Sequence, residues 1–254
     1  MKVLSLGAGV QSSTVLLMSC AGEFEHLDAA IFADTGFEPP DVYRWLETEL
    51  VPRARDADTP LYVVRAYDDG RDVRSRPWEM PVHVLRPSGD GVMVRRQCTN
   101  RFKVAPIRRK LRELTRGPVE EWLGISADEI ERMRDSDVRY ITHRYPLVDA
   151  DMTRADCAAW LQRRGLEAPK SACVCCPFNT DARWLRLKRQ PEVWAAAIEV
   201  DESLRNGAIR QGAATSTIDG VGYLHRSHVP LRDVELGHED QLELFGCDAG
   251  HCGV

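Results

Sequence analysis

The feature that most narrows the fold lies at the amino terminus. Lys2–Leu6 (KVLSL) is an apolar run of strand length that breaks at Gly7-Ala8-Gly9, and residues 13–20 (STVLLMSC) continue as an apolar helix. The pattern then recurs. Residues 28–33 (DAAIFA) read as a second strand that stops at the turn Asp34-Thr35-Gly36. Pro39 and Pro40 open a helical pattern with Val42, Trp45, Leu46 and Leu50 on one face, and residues 61–65 (LYVVR) form a third strand. Strands separated by helices build right-handed βαβ units, so the spacing predicts a parallel sheet.

Further along, residues 67–91 carry Pro77, Pro81, Pro87 and several Gly and Asp, and read as a long excursion over the sheet edge. Order resumes with a basic helix over 104–114, a strand over 119–125 (VEEWLGI) and a short helix over 128–134. Residues 153–164 (TRADCAAWLQRR) form an amphipathic helix with Thr153 as its cap and Gly165 as its stop. Helices are expected over 181–188 and 192–204, and an irregular Gly-rich tail from about Gly207. The expected class is α/β: a Rossmann-like parallel sheet flanked by helices, with a helical and irregular C-terminal extension bearing cysteines. A nucleotide-binding domain over 1–165, with the cysteine-containing region 166–254 packed on it, is the expected division, with one domain overall as the alternative.

Hydrophobic residues make up 43% of the 254 and the formal net charge is −5, which argues against a chain coated for nucleic acid but leaves a local basic patch open. No apolar run of about 18 residues and no signal-peptide pattern is visible, so the chain is expected in the reducing cytosol, with no membrane partner. There, eight cysteines point to metal binding or catalysis rather than a disulfide framework.

The loop GAGVQSS between strand and helix brings small residues and two hydroxyls to a helix N-terminus, where backbone amides can meet an anion. It lacks the Walker pattern and the third glycine of a dinucleotide fingerprint, so a ligand-free turn is the competing reading. The thiols concentrate in KSACVCCPFN, where Cys173 and Cys176 form a C-x-x-C whose tight turn can present two sulfurs to one ion. Cys20 and Cys157 lie on apolar helix faces and read as inert core thiols.

SLGAGVQSSTVLL followed by IFADTGFEPPDVYRWLE resembles the opening of the phosphoadenosine-phosphosulfate (PAPS) reductase and ATP-pyrophosphatase superfamily. The resemblance implies that Ser5, Gly7, Gly9, Gln11, Ser12, Ser13 and Asp34 hold an adenine nucleotide such as ATP, with Mg²⁺ as an accompanying ion. The family's loop reads SGGKDS; here Gln11 stands for its Lys and Ser12 for its Asp, which removes a phosphate-binding charge and a metal contact. RRQCTNRFKVAP is similar to the CC-x-x-RK-x-x-PL segment of adenylyl-sulfate reductases, placing Cys98 on the first Cys, Thr99 on the second and Lys103 on the Lys. WLGISADEIERMRDS and RYPLVDADMTRADCAAWL continue the likeness in order, with Arg134 where the family places basic residues for substrate phosphate or sulfate.

By that resemblance Cys98, Cys173 and Cys176 are cluster ligands, and Cys175 is a bystander. Four thiolates hold either zinc or an iron–sulfur cluster; Pro177 after Cys176 and the lack of a histidine ligand pair point to a [4Fe–4S] cluster. The fourth ligand is Cys252, or Cys247, or an open iron that takes sulfide, as in the superfamily's tRNA thiolases. The tail thiol that is not a ligand would be a nucleophile or persulfide carrier, so Cys247, Cys252 and Arg134 are the candidate catalytic residues. The expected activity is ATP-dependent sulfur transfer through an adenylated intermediate. It needs a sulfur or electron donor and an acceptor, nucleic acid or small molecule, that the sequence does not name; a homodimer is allowed for. Reduction of an adenylyl sulfate, a non-catalytic nucleotide and redox sensor, and a zinc-stapled nucleic-acid-binding protein are the rivals.

Overall fold

The computed structural model describes residues 1–208 and 219–237. In chain order the elements are β1 (Lys2–Leu6), α1 (Val10–Cys20), β2 (Ala29–Ala33), α2 (Pro40–Trp45), α3 (Val51–Asp56), β3 (Leu61–Val64), β4 (His83–Leu85), β5 (Gly91–Met93), α4 (Ala105–Leu114), β6 (Val119–Leu123), β7 (Ile141–Arg144), α5 (Pro146–Asp149), α6 (Arg154–Gln162), α7 (Asp181–Lys188), α8 (Pro191–Ser203) and β8 (Val221–Tyr223). A π-helical turn, Leu46–Leu50, joins α2 to α3, and another, Asn100–Val104, leads into α4.

The chain divides into two units. The first comprises residues 1–34, 38–66 and 103–171; the second comprises 35–37, 67–102 and the described residues from 172 onward. The division is interleaved along the chain.

The first unit is built on five parallel strands in the order β3-β2-β1-β6-β7. Side chains alternate along β1: Leu4 and Leu6 enter a core with Val15, Leu16, Trp45, Leu50, Trp122, Trp160 and Leu161, under α1, α6 and the α2–α3 segment. Val3 faces the other side, with Ile31, Val119 and Ile141, under Ile107 and Leu111 of α4. Both faces are covered, which is why β2 reads as an uninterrupted apolar run. From β1 the chain steps outward to β2 and β3, then returns to place β6 and β7 on the other side. That reversal between β1 and β6 is where parallel sheets open a crevice at the carboxyl ends of their strands.

The second unit carries three antiparallel strands in the order β5-β4-β8. Residues 67–91 are thus not a plain excursion: they contain two 3₁₀ turns and β4. Nor is the chain beyond Gly207 wholly irregular, since β8 pairs with β4. The edge strand β7 has no counterpart among the sequence expectations. Among the described residues no helix is long and apolar enough to cross a membrane.

Candidate functional site

The loop after β1 sits at the reversal point of the first unit. Ala8 takes a left-handed backbone, φ +55°, a conformation that costs a side-chain-bearing residue about 1–2 kcal/mol and that clusters at functional sites. Gly9 is extended at the N-cap of α1, with no side-chain cap, and the Ser13 amide closes the first turn on the Gly9 carbonyl at 3.0 Å. The helix therefore begins three residues earlier than its apolar run suggests. Gln11, Ser12 and Ser13 lie in its first turn rather than in a loop.

Each of those side chains is engaged by the scaffold. Ser12 Oγ accepts from the Gly7 amide at 3.1 Å. Fully buried Ser13 accepts from Trp45 Nε1 at 3.0 Å. Gln11 Nε2 donates to Glu129 Oε2 at 3.0 Å, and Gln11 Oε1 accepts from Arg154 Nη1 at 3.2 Å. What the turn can offer an anion is then its backbone: the amides of a helix start with no side-chain cap, with the favourable field of its N-terminus. Ser171 Oγ donates to the Gly7 carbonyl, and a Cβ on Gly9 would meet Ser171 Cβ at 3.2 Å. Gly124, just past β6, lets this turn approach: a Cβ there would lie 2.7 Å from Ser12 N and 2.8 Å from Ser12 Cα.

Sequence reasoning missed Glu129, Arg154 and Ser171. Arg154 follows the Thr153 cap of α6, whose capping box with Asp156 is complete, so it is pinned at a helix start with its guanidinium on the Gln11 side chain. Arg132 pairs with Glu129 at 2.6 Å. Both links run more than a hundred residues along the chain to Gln11, which no local pattern reveals.

The other expected nucleotide residues are placed differently. Asp34 ends β2 but is 2% exposed; Oδ2 accepts from Arg65 Nε and Nη2 at 2.8 and 2.6 Å, and Oδ1 accepts from Tyr43 Oη at 2.8 Å. Burial, then this carboxylate, push the Tyr43 phenol well above its usual range, keeping it a donor. Asp34 thus acts as a scaffold carboxylate. Ser5 Oγ donates to Glu121, on the α4 side of the sheet, and Glu121 lies 3.5 Å from His143 Nε2. Lys103 is half-buried in the π-helical turn before α4.

Arg134 is exposed, and its guanidinium donates to the carbonyls of Glu131 and Met133, each at 2.6 Å. Its backbone is clamped: its amide donates to Tyr145 Oη at 2.9 Å, and its carbonyl accepts from Tyr145 and, at 2.8 Å, from His143 Nδ1. With Nδ1 against a carbonyl and Nε2 facing a carboxylate, the surroundings of His143 favour its protonated form. Accordingly Glu121 first, and the Arg134 carbonyl after it, raise its pKa.

In the second unit, Cys173 to Cys176 make a tight turn closed by the Cys176 amide on the Cys173 carbonyl at 3.1 Å. Cys173 Sγ lies 3.2 Å from Thr35 Oγ1. Cys175 points the other way, fully buried, with Sγ 3.4 Å from Met80 Sδ. Cys173, Cys176 and Cys98 are half-buried. Among the described residues no group of three or more His, Cys, Asp or Glu side chains stands in a metal-binding arrangement. Cys247 and Cys252 lie outside the described residues. Cys20 and Cys157 are core thiols; burial raises both, Cys157 to about 12.

No family model matches the chain, and no curated protein matches it. Among solved structures, it is similar to the crystal structure of phosphoadenylyl-sulfate (PAPS) reductase from Candida auris in its phosphate complex. Identity is 15% and the TM-score 0.45, over 66% of this chain and 74% of that one.

Proposed function

We propose that this chain is an adenine-nucleotide-dependent enzyme of sulfur chemistry, acting as an ATP-dependent sulfurtransferase. The observation that carries the reading is the β1–α1 turn: an uncapped helix start at the reversal point of a parallel sheet, packed so closely on Ser171 and Gly124 that Gly9 and Gly124 have no room for a side chain. The loop and first-turn amides would hold the nucleotide's phosphates, and Arg154 would supply the positive charge that Gln11 lacks. An acceptor carbonyl-type oxygen then attacks the α-phosphorus, pyrophosphate leaves, and a sulfur nucleophile displaces AMP from the adenylated carbon. Cys173 and Cys176 are the thiols offered to a metal or cluster; Cys98 and the tail cysteines are the further candidates.

A second reading follows from Gln11. With no lysine at the phosphate loop, the site suits the smaller charge of an adenylyl sulfate better than that of ATP. In that case a thiolate attacks the sulfonyl sulfur, AMP leaves, and a second thiol releases sulfite as a disulfide forms. Anaerobic assays decide: pyrophosphate released from ATP with acceptor present supports transfer, and sulfite released from an adenylyl sulfate supports reduction. If the purified chain binds neither nucleotide by calorimetry, both readings fail.

A further inference from the structure

A second concentration of positive charge lies on α4, apart from the β1–α1 turn. In a chain of net charge −5, residues 103–116 hold Lys103, Arg108, Arg109, Lys110, Arg112 and Arg116 against one carboxylate, Glu113. Ile107 and Leu111 bury one side of α4 against the sheet, so the 3.6-residue period turns Arg109 and Arg112 to the opposite side.

How these cations are held separates them. Arg108 pairs with Asp137, and Lys110 with Glu113 at 2.8 Å. Arg109 instead donates to the Arg65 carbonyl at 2.6 Å. Arg112 donates to the Arg116 carbonyl at 3.3 Å and lies 3.1 Å over the Tyr140 ring. A carbonyl or an aromatic face orients a guanidinium without cancelling its charge. Arg116 and Arg139 flank the pair and are exposed. Like charges a turn apart cost an isolated helix about 0.2–0.5 kcal/mol, so this oriented, unneutralised group makes sense as half of an interface.

We infer that the outer face of α4 docks the phosphodiester backbone of a double-stranded nucleic acid through Arg109, Arg112 and Arg116. The flanking tyrosines favour a duplex over a single strand: Tyr140 lies under Arg112 and Tyr62 lies 4.9 Å below Lys110, so neither offers a free stacking platform. A lipid surface would need apolar side chains beside the cations, and none of the exposed large hydrophobic residues lies on α4. As a statement about catalysis, that the duplex carries the sulfur acceptor, the inference rests on the transferase reading; as a binding surface it stands apart from it.

The test is fluorescence anisotropy of the full chain with labelled 20-base-pair RNA and DNA duplexes and a single strand of equal length. With three phosphate contacts, log K against log salt should fall with a slope of about −3, a loss of roughly sixty-fold between 50 and 200 mM salt. R109A/R112A/R116A should flatten the slope by about 3 and weaken binding roughly a hundred-fold or more at low salt, while the triple lysine variant keeps both. The RNA and DNA arms identify the duplex. Salt-insensitive binding, no binding, equal binding by the alanine variant, or preference for the single strand would overturn the proposal. The same proteins are titrated with ATP: loss of nucleotide binding in wild type sinks the transferase reading without touching this one, and unchanged ATP binding in the alanine variant shows that its fold is intact.

Discussion

In the parallel sheet every residue of β2 is buried, and β1 beside it is covered by helices on both faces; only toward the β3 edge, where Val63 is 53% exposed, does the cover thin. In the three-stranded sheet Val84 is fully buried, yet Met93 and Val221 are each 42% exposed, and each strand is three residues long. Two different sources of stability follow. The first sheet rests on apolar burial spread over many side chains, so no one polar group decides its fate. The second is too short to be held by its own ladder. Its return strand is anchored by one carboxylate, Asp201 of α8, which is fully buried and accepts from the Leu224 amide at 2.9 Å and the Leu231 amide at 2.8 Å, with Arg205 paired to it at 2.7 Å.

The sharpest way to break that contrast is Asp201→Ala. It leaves two buried amides without an acceptor and a largely buried guanidinium without its partner, a loss of about 3–5 kcal/mol. Hydrogen exchange should report the effect as loss of protection in residues 221–231, with the amides of β1 and β2 unchanged. Equal loss in both sheets would mean that the small sheet has no separate anchor.

Gly124→Ala tests the other side of the comparison. Its new methyl would overlap the backbone of Ser12, so the start of α1 must move, at about 1–3 kcal/mol by the usual scale of overpacking. Because apolar burial is distributed, the parallel sheet should survive while ATP binding falls at least ten-fold; calorimetry and a thermal melt read the two separately. A variant that melts like wild type and binds nucleotide normally would remove the loop from the proposed site.

The same contrast explains what was legible in the sequence. β1 and β2 announce themselves because a doubly covered parallel strand reads as a nearly continuous apolar run, and β3 and β6 follow from the spacing of strands between helices. Thr153 marks the start of α6 because capping chemistry is local. β4, β5 and β8 are invisible, since three residues cannot display a period of two, and β8 finds its partner in β4 more than a hundred residues earlier. The candidate site divides likewise. Gly7 and Gly9 were readable, but the engagement of Gln11 by Glu129 and Arg154, and of Asp34 by Arg65 and Tyr43, depends on chain segments brought together only by the fold. Cys173 and Cys176 were readable as a turn, and the inward aim of Cys175 toward Met80 was not.

One polar network does exist on the parallel sheet, and it yields the smallest effect expected. Ser5, Glu121 and His143 join on the α4 side, and His143 also grips the Arg134 carbonyl. The charged groups acting on His143 are Glu121 and, opposing it, Arg108, itself paired with Asp137. Since the folded pKa is raised above the ordinary value of about 6.5, the histidine's contribution is complete below that pH and is lost as pH climbs through the folded value. Stability of the wild type should therefore decline on the alkaline side of pH 6.5, and His143→Gln should flatten that limb while leaving the core otherwise intact. Tyr145→Phe is the control: it removes another grip on Arg134 but should keep the slope, because the proton in question resides on His143. An identical pH profile for wild type and His143→Gln would show that the network carries no ionic term, and that this sheet rests on apolar burial alone.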